Sequence, residues 1–323
     1  MDLPNELKVA IDNITVGVGY TQLMKDFQNL SERYRNNSSI GESILKNERE
    51  VISYAVARMP ATYGAVLTAL QYAMELSKLE ITSLIDCGAG TGAAAWAANS
   101  LFDLETIICL ERDEMTMKIG KKLMKRSHME KVKWMRHDIA CDVIPQEADM
   151  IIASYVLNEM NRKDKIKTID KLWSKAKKVL LIVEPGTKTG YEQVLENREI
   201  LIGLGANILA PCPHENICKL EEGSWCHFSC RIPRSKVHRL IKEGDAPFED
   251  EKFSYIAATR DKFKSADFRI LRHPYVAKGH VSFDLCSLNG INKVIVSRKD
   301  KELFKQARKA KWGDVLKNIY HKI

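Results

Sequence analysis

The sequence predicts an α/β fold built on a mostly parallel sheet, and three observations carry that reading. From residue 81, short apolar, β-branched runs at 81–86, 106–110, 131–134, 149–154 and 178–184 alternate with helical segments at 93–102, 114–126 and 163–176. Those runs are continuous rather than alternating, as in Val179-Leu180-Leu181-Ile182-Val183. Central parallel strands read this way because both faces are covered. The first run also leads through a glycine-rich turn, Cys87-Gly88-Ala89-Gly90-Thr91-Gly92, into an alanine-rich helix.

The elements before this core read as helical. Residues 48–79 are rich in Ala, Leu, Met and Glu at helical spacing, and Pro60 predicts two helices meeting near Met59. The organisation is therefore an N-terminal helical region (1–80), a core of alternating strands and helices (81–204), a Cys-, Pro- and His-rich segment (205–232) and C-terminal strands with a basic tail (233–323). In the last part 253–260, 280–286 and 293–297 read as strands, with Asn289-Gly290 as a hairpin turn.

The 323 residues, 45% apolar and 28% charged, exclude wholesale disorder and a collagen-like chain. The apolar runs at 151–157 and 179–183 are too short to cross a bilayer, so no membrane role is expected. The start, Met1-Asp2-Leu3-Pro4, has no apolar core of a secretory signal, and the first arginine is Arg33, so secretion is not expected and a transit peptide is expected to be absent or already removed. The net charge of +8 is uneven: residues 231–323 hold 22 Lys+Arg against 11 Asp+Glu, and residues 1–230 hold 28 against 31. A basic C-terminal third reads either as a solubilising face or as the site of an anionic partner, RNA before a membrane surface. Lys299, Lys301, Lys305, Arg308, Lys309 and Lys311 supply the tail's charge, and Trp312 either stacks on a base or anchors the segment.

The turn Asp86-Cys87-Gly88-Ala89-Gly90-Thr91-Gly92 has Gly-x-Gly-x-Gly rather than the Gly-x-Gly-x-x-Gly of dinucleotide sites. An aspartate ahead of it suits an ammonium and opposes a pyrophosphate. The turn resembles the first motif of Rossmann-like, class I S-adenosylmethionine-dependent methyltransferases. Glu111, ending the second strand, can accept from both ribose hydroxyls. In that family pattern Asp138, ending the third strand, lies near the adenine, and Ser154, ending the fourth, lies under the cofactor. The expected cofactor residues are therefore Asp86, Gly88, Gly90, Gly92, Glu111, Asp138 and Ser154.

Four of eight cysteines, Cys212, Cys218, Cys226 and Cys230, fall within 19 residues, and Cys286 is a fifth candidate at a distance. Soft thiolates gathered in a loop-rich segment suit zinc or an iron–sulfur cluster. The spacings Cys-x5-Cys and Cys-x7-Cys disfavour a standard zinc knuckle, although His214 and His227 can complete a zinc site. Cys87, Cys109 and Cys141 read as packing residues.

Several motifs then occur in order: Arg58-Met59-Pro60-Ala61-Thr62-Tyr63, the glycine turn, Ser154-Tyr155-Val156-Leu157-Asn158-Glu159, Glu184-Pro185-Gly186-Thr187, Cys212-Pro213-His214, Trp225-Cys226-His227-Phe228, Lys278-Gly279-His280-Val281 and Ala310-Lys311-Trp312-Gly313-Asp314. Across about residues 30–316 the chain resembles the methyltransferase-like family of small-ribosomal-subunit assembly proteins, bacterial and mitochondrial. The resemblance implies a Rossmann-like sheet that binds S-adenosylmethionine, a cysteine-rich metal-binding insertion and a basic C-terminal β extension. It implies a [4Fe–4S] cluster on Cys212, Cys218, Cys226 and Cys286, with Cys230 the spare. It also implies association with the small subunit and its rRNA, by a chain that is a monomer when free and cytoplasmic, or in the mitochondrial matrix if processed. An active rRNA methyltransferase and a zinc-stabilised small-molecule methyltransferase are the alternatives. No Pro-Pro-aromatic motif, catalytic cysteine or Lys-Asp-Lys-Glu set follows the fourth strand, so no catalytic residue is assigned; Tyr155, Asn158 and Glu159 are the candidates to face a substrate.

Overall fold

The computed structural model describes residues 2–36, 45–221, 223–263 and 265–316. Three helices come first: α1 (Asn5–Thr15), α2 (Tyr20–Asn36) and α3 (Glu48–Met74). Asn47 caps α3 by accepting from the Glu50 N–H. The helix then runs unbroken through Pro60, which corrects the expectation of two helices. Residues on all sides of α3 are buried, so packing outweighs the one backbone hydrogen bond that proline cannot donate.

Next come β1 (Ser83–Cys87), α4 (Ala93–Asn99), β2 (Thr106–Glu111), α5 (Glu114–Met124), β3 (Lys133–Arg136), β4 (Ala148–Ser154), α6 (Arg162–Lys175), β5 (Ala176–Pro185) and α7 (Lys188–Gly203). Short polar side chains start the helices: Asp113 accepts from Thr116 N–H, Asn161 from Asp164 N–H and Thr187 from Gly190 N–H. The chain continues through β6 (Asn207–Ala210), β7 (Phe228–Pro233), α8 (Lys236–Ile241) and β8 (Phe248–Thr259). It ends with β9 (Phe268–Ile270), β10 (Tyr275–Val276), β11 (His280–Ser287), β12 (Gly290–Ser297), α9 (Lys301–Ala307) and β13 (Val315–Leu316).

The main sheet has the order β3-β2-β1-β4-β5-β8-β6, and β7 also pairs with β8. Strands β1 to β5 are parallel, and β8 runs antiparallel to both β5 and β6. The sheet therefore does not close at residue 204: it takes β6 and β7 from the cysteine-rich segment and β8 from the C-terminal part. Only long-range pairing with β8 makes β6 and β7 strands, which is why their short, Pro- and Cys-broken sequence hides them.

Side chains of β5 alternate between two cores, Val179, Leu181 and Val183 to one face and Leu180 and Ile182 to the other. Helices α1 to α5 cover the first face, and α6 and α7 the second. Each such fully buried aliphatic side chain contributes roughly 1.5–3 kcal/mol. Cys109 packs in the first core and Cys87 in the second, whereas Cys141 is exposed.

A second sheet has the order β10-β11-β9-β13, with β12 on β11, and its own small core of Phe268, Ile270, Val281, Phe283 and Leu285. The β11–β12 turn falls at Leu288-Asn289, one residue earlier than expected, with Ser287 paired to Gly290 at φ +112°. The basic tail folds back: α9 packs on this sheet and β13 pairs with β9, while residues 317–323 lie outside the described residues. Among the described residues no helix is long and apolar enough to cross a membrane.

Candidate cofactor cleft and cysteine cavity

The glycine turn sits at the carboxyl end of β1, where open α/β sheets place ligands. The amides of Gly88 and Ala89 both donate to the Leu110 carbonyl, which pins the turn against β2. Gly88 has φ +67°, and a Cβ there would lie 2.6 Å from Val156 Cγ2, so only glycine fits. At Gly90, φ +55°, nothing lies within 4 Å of a Cβ position, so the turn is open on that side. Gly92, φ +89°, leads into α4.

Glu111 ends β2 beside this opening. Its carboxylate accepts from Gly90 N–H at 2.8 Å and Asp113 N–H at 3.0 Å, and burial raises its pKa. Asp138 follows β3, half-buried, and accepts from Ala140 N–H at 2.9 Å. Ser154 ends β4, 9% exposed, ahead of Tyr155 in a left-handed conformation at φ +57°.

Asp86 departs from the ammonium-binding picture. It is fully buried, its Oδ2 accepts from Ala95 N–H at 3.1 Å, and its Oδ1 has no partner. Burial pushes it up to about 7, with the Ala95 amide pulling the other way. Its carboxyl braces α4 from beneath the turn and lines no open surface.

A polar network that the sequence did not disclose lies past Ser154. Arg58 of α3 makes a bidentate pair with Glu251 of β8, and the Tyr155 hydroxyl donates to Glu251 at 3.3 Å. Tyr155 is thereby held by the scaffold, while Glu159 pairs with Arg112 at 3.5 Å. Glu184, near the end of β5, is fully buried, and neither of its oxygens makes a well-formed hydrogen bond. Burial pushes it up to about 8; the Lys165 ammonium and the Leu157 and Asn158 amides pull the other way.

The second site is a cavity of about 40 Å³ lined by Cys212, Cys218, Cys226 and Cys286. Three thiols come from the segment between β6 and β7, and Cys286 from β11 of the second sheet. All are free thiols. Burial raises the pKa of Cys212, Cys226 and Cys286, and neighbouring thiols of the set raise each of them further. Among the described residues the walls carry no carboxylate or imidazole.

Two buried guanidiniums hold this wall. Arg198 of α7 donates to the carbonyls of His214 and Asn216 at 2.9 and 2.8 Å. Arg269 of β9 donates to the carbonyls of Pro211 and Gly313 at 3.2 and 2.7 Å. Tyr191 lies 3.3 Å from the Cys218 sulfur. The partners of these residues are far away in sequence, which is why Tyr191, Arg198 and Arg269 carried no signal.

Cys230 is placed elsewhere, on β7 against α3, where a Cβ on Gly64 would lie 3.1 Å from its sulfur. His214 Nε2 lies 3.6 Å from Cys286 Sγ, outside the cavity wall. His227 packs between the Trp225 and Trp312 rings. Among the described residues no three His, Cys, Asp or Glu side chains stand as a single metal ion needs. Trp312 is an anchor: its ring meets His227 and His273, and its carbonyl accepts from Tyr72 at 2.6 Å. Lys299, Lys301, Lys305, Arg308, Lys309 and Lys311 are all exposed.

The family described as mitochondrial small ribosomal subunit Rsm22 matches residues 48–317. The chain belongs to the Rsm22 family. It is 26% identical over 285 residues to the human protein named ribosome assembly protein METTL17, mitochondrial, covering 81% of this chain and 61% of that protein. It is 24% identical over 322 residues to Rsm22-cox11 tandem protein 2, mitochondrial, of Schizosaccharomyces pombe, covering 82% of this chain and 43% of that one. This Rsm22 chain thus spans less than two thirds of these relatives. Among solved structures it is similar to the N-methyltransferase NodS of Bradyrhizobium japonicum, at 10% identity and TM-score 0.44, covering 73% of this chain and 99% of that one. Magnesium protoporphyrin IX methyltransferase of Synechocystis is 15% identical, at TM-score 0.40, covering 76% and 99%.

Proposed function

We propose that this chain assists assembly of the small ribosomal subunit, binding its RNA through a methyltransferase-like body that carries an S-adenosylmethionine cleft and a [4Fe–4S] cluster. The observation that carries the reading is the meeting of Cys286 with Cys212, Cys218 and Cys226 round one cavity. Four thiols with apolar and guanidinium neighbours fit a polynuclear iron–sulfur core, whose thiolates stand apart. They fit a single zinc ion less well, because among the described residues no three donors converge. The relatives' names supply the assembly role and favour a mitochondrial matrix setting over the cytoplasm.

In this reading the cysteines tie the 211–227 wall to the second sheet, and folding of that junction depends on the cluster. Arg198 and Arg269 offset thiolate charge and hold the wall's carbonyls. At the cleft, Glu111 accepts from ribose hydroxyls, the open side of Gly90 admits the ligand, Asp138 stands near the base and Ser154 forms the floor. S-adenosylmethionine, when bound, supplies a methyl group activated by its sulfonium. Tyr155 faces that region with its hydroxyl committed to Glu251, so no residue of the chain is assigned as a base.

Isolation without oxygen tests the reading. The expected protein is brown and holds iron and sulfide in equal amounts, without zinc. A colourless zinc protein would refute the cluster. Labelled S-adenosylmethionine with immature small subunits is expected to leave the rRNA unlabelled; label in the rRNA would make the chain an active methyltransferase.

A further inference from the structure

Residues 114–136 hold eight Lys+Arg against two Asp+Glu, a concentration hidden inside a body that is acidic overall. They form α5 and β3, the edge strand of the main sheet, and a groove of about 700 Å³ lies between them. Lys118, Lys121, Lys122, Lys125 and Arg136 line it, over a floor that includes Trp134. The lysines recur about one helical turn apart, some 5.4 Å each, so they form a row along the groove. Lys118 and Lys122 share Glu48, and Arg136 pairs with Glu114. Lys121 and Lys125 are exposed and have no ion-pair partner among the described residues.

We propose that the α5–β3 groove is an RNA-backbone interface distinct from the C-terminal basic segment. This rests on the RNA-partner reading above and assigns it a surface. A concave row of ammonium groups tracks a chain of phosphates, whereas a flat membrane surface needs apolar side chains projecting beyond the cations. Here the apolar side chains form the floor, and only Met135, 39% exposed, projects from this segment. The floor also backs the cofactor turn, because Trp134 packs against both Gly120 of α5 and Gly92. RNA in the groove therefore lies along the outer edge of the cleft, with Arg136 two residues before Asp138.

The test uses the full chain and small-subunit rRNA. Lys121→Glu/Lys125→Glu is compared with Arg308→Glu/Lys309→Glu/Lys311→Glu and the unsubstituted protein across a salt series. The groove variant is expected to lose about tenfold or more in affinity, and its log–log salt slope to flatten by about 1.4, the share of two single-strand phosphate contacts. In the unsubstituted protein, RNA is expected to protect Lys121 and Lys125 from acetylation, a readout that needs no variant to fold. A groove variant that binds like the unsubstituted protein, with neither lysine protected, would overturn the inference and leave the RNA reading intact. No RNA binding by the unsubstituted protein would overturn both. Protection of these lysines by phosphatidylserine vesicles but not by RNA would assign the groove to a membrane and also overturn it.

Discussion

Gly88 and Gly90 occupy the same turn with similar positive φ, yet their surroundings differ. Gly88→Ala drives a Cβ to 2.6 Å from Val156 and adds backbone strain, so urea unfolding is expected to show a loss of about 2–3 kcal/mol. Gly90→Ala meets open space and is expected to cost only about 1 kcal/mol. Calorimetry should nevertheless show weakened S-adenosylmethionine binding; full affinity would move the ligand off this turn. Glu184 makes a pH prediction. Its ordinary value is 4.5 and burial pushes it up to about 8, so the native state keeps a proton that the unfolded chain releases. Unfolded chains then bind fewer protons between those values, and stability falls as pH rises, by up to ~1.4 kcal/mol per pH unit. Glu184→Gln is expected to flatten that slope in denaturant midpoints measured from pH 5 to 8; an unchanged slope would assign it to other groups such as Asp86, raised in the same direction.

The elements best announced by sequence are those whose pattern is local. Strands β1, β2, β4 and β5 are continuous apolar runs, and each lies within a few residues of its expected bounds. The positions of the turn glycines after β1, of Glu111 at the end of β2 and of Asp138 two residues past β3 follow from that local pattern. What stayed hidden depends on distant partners. Pro60 reads as a break and is overruled by burial, and β6 and β7 exist only against β8. Glu251 reads as one more acid in an acidic stretch until Arg58 and Tyr155 converge on it across the fold. Arg269 is the sharpest case, a fully buried arginine of β9 that joins the second sheet to the cavity wall and to Gly313. Arg269→Ala leaves buried carbonyls unpaired and opens a void, so a loss of about 3–5 kcal/mol is expected. Hydrogen exchange should quicken in β9, β11 and β13 before β1 to β5; uniform quickening would mean that the two sheets do not open separately.

At the scale of the molecule, the main sheet carries the glycine turn at the carboxyl end of β1, the second sheet packs against the basic C-terminal segment, and the cysteine cavity is lined from both sides of their junction. Family membership places this arrangement among Rsm22 proteins. The central claim is that four sulfurs, three from the segment between β6 and β7 and one from β11, hold one inorganic core. Iron and sulfide content after anaerobic isolation tests it most directly, on the unsubstituted protein, Cys286→Ser and Cys230→Ser. The account predicts a full complement in the unsubstituted and Cys230→Ser proteins and its loss in Cys286→Ser. Full iron in Cys286→Ser together with its loss in Cys230→Ser would contradict it.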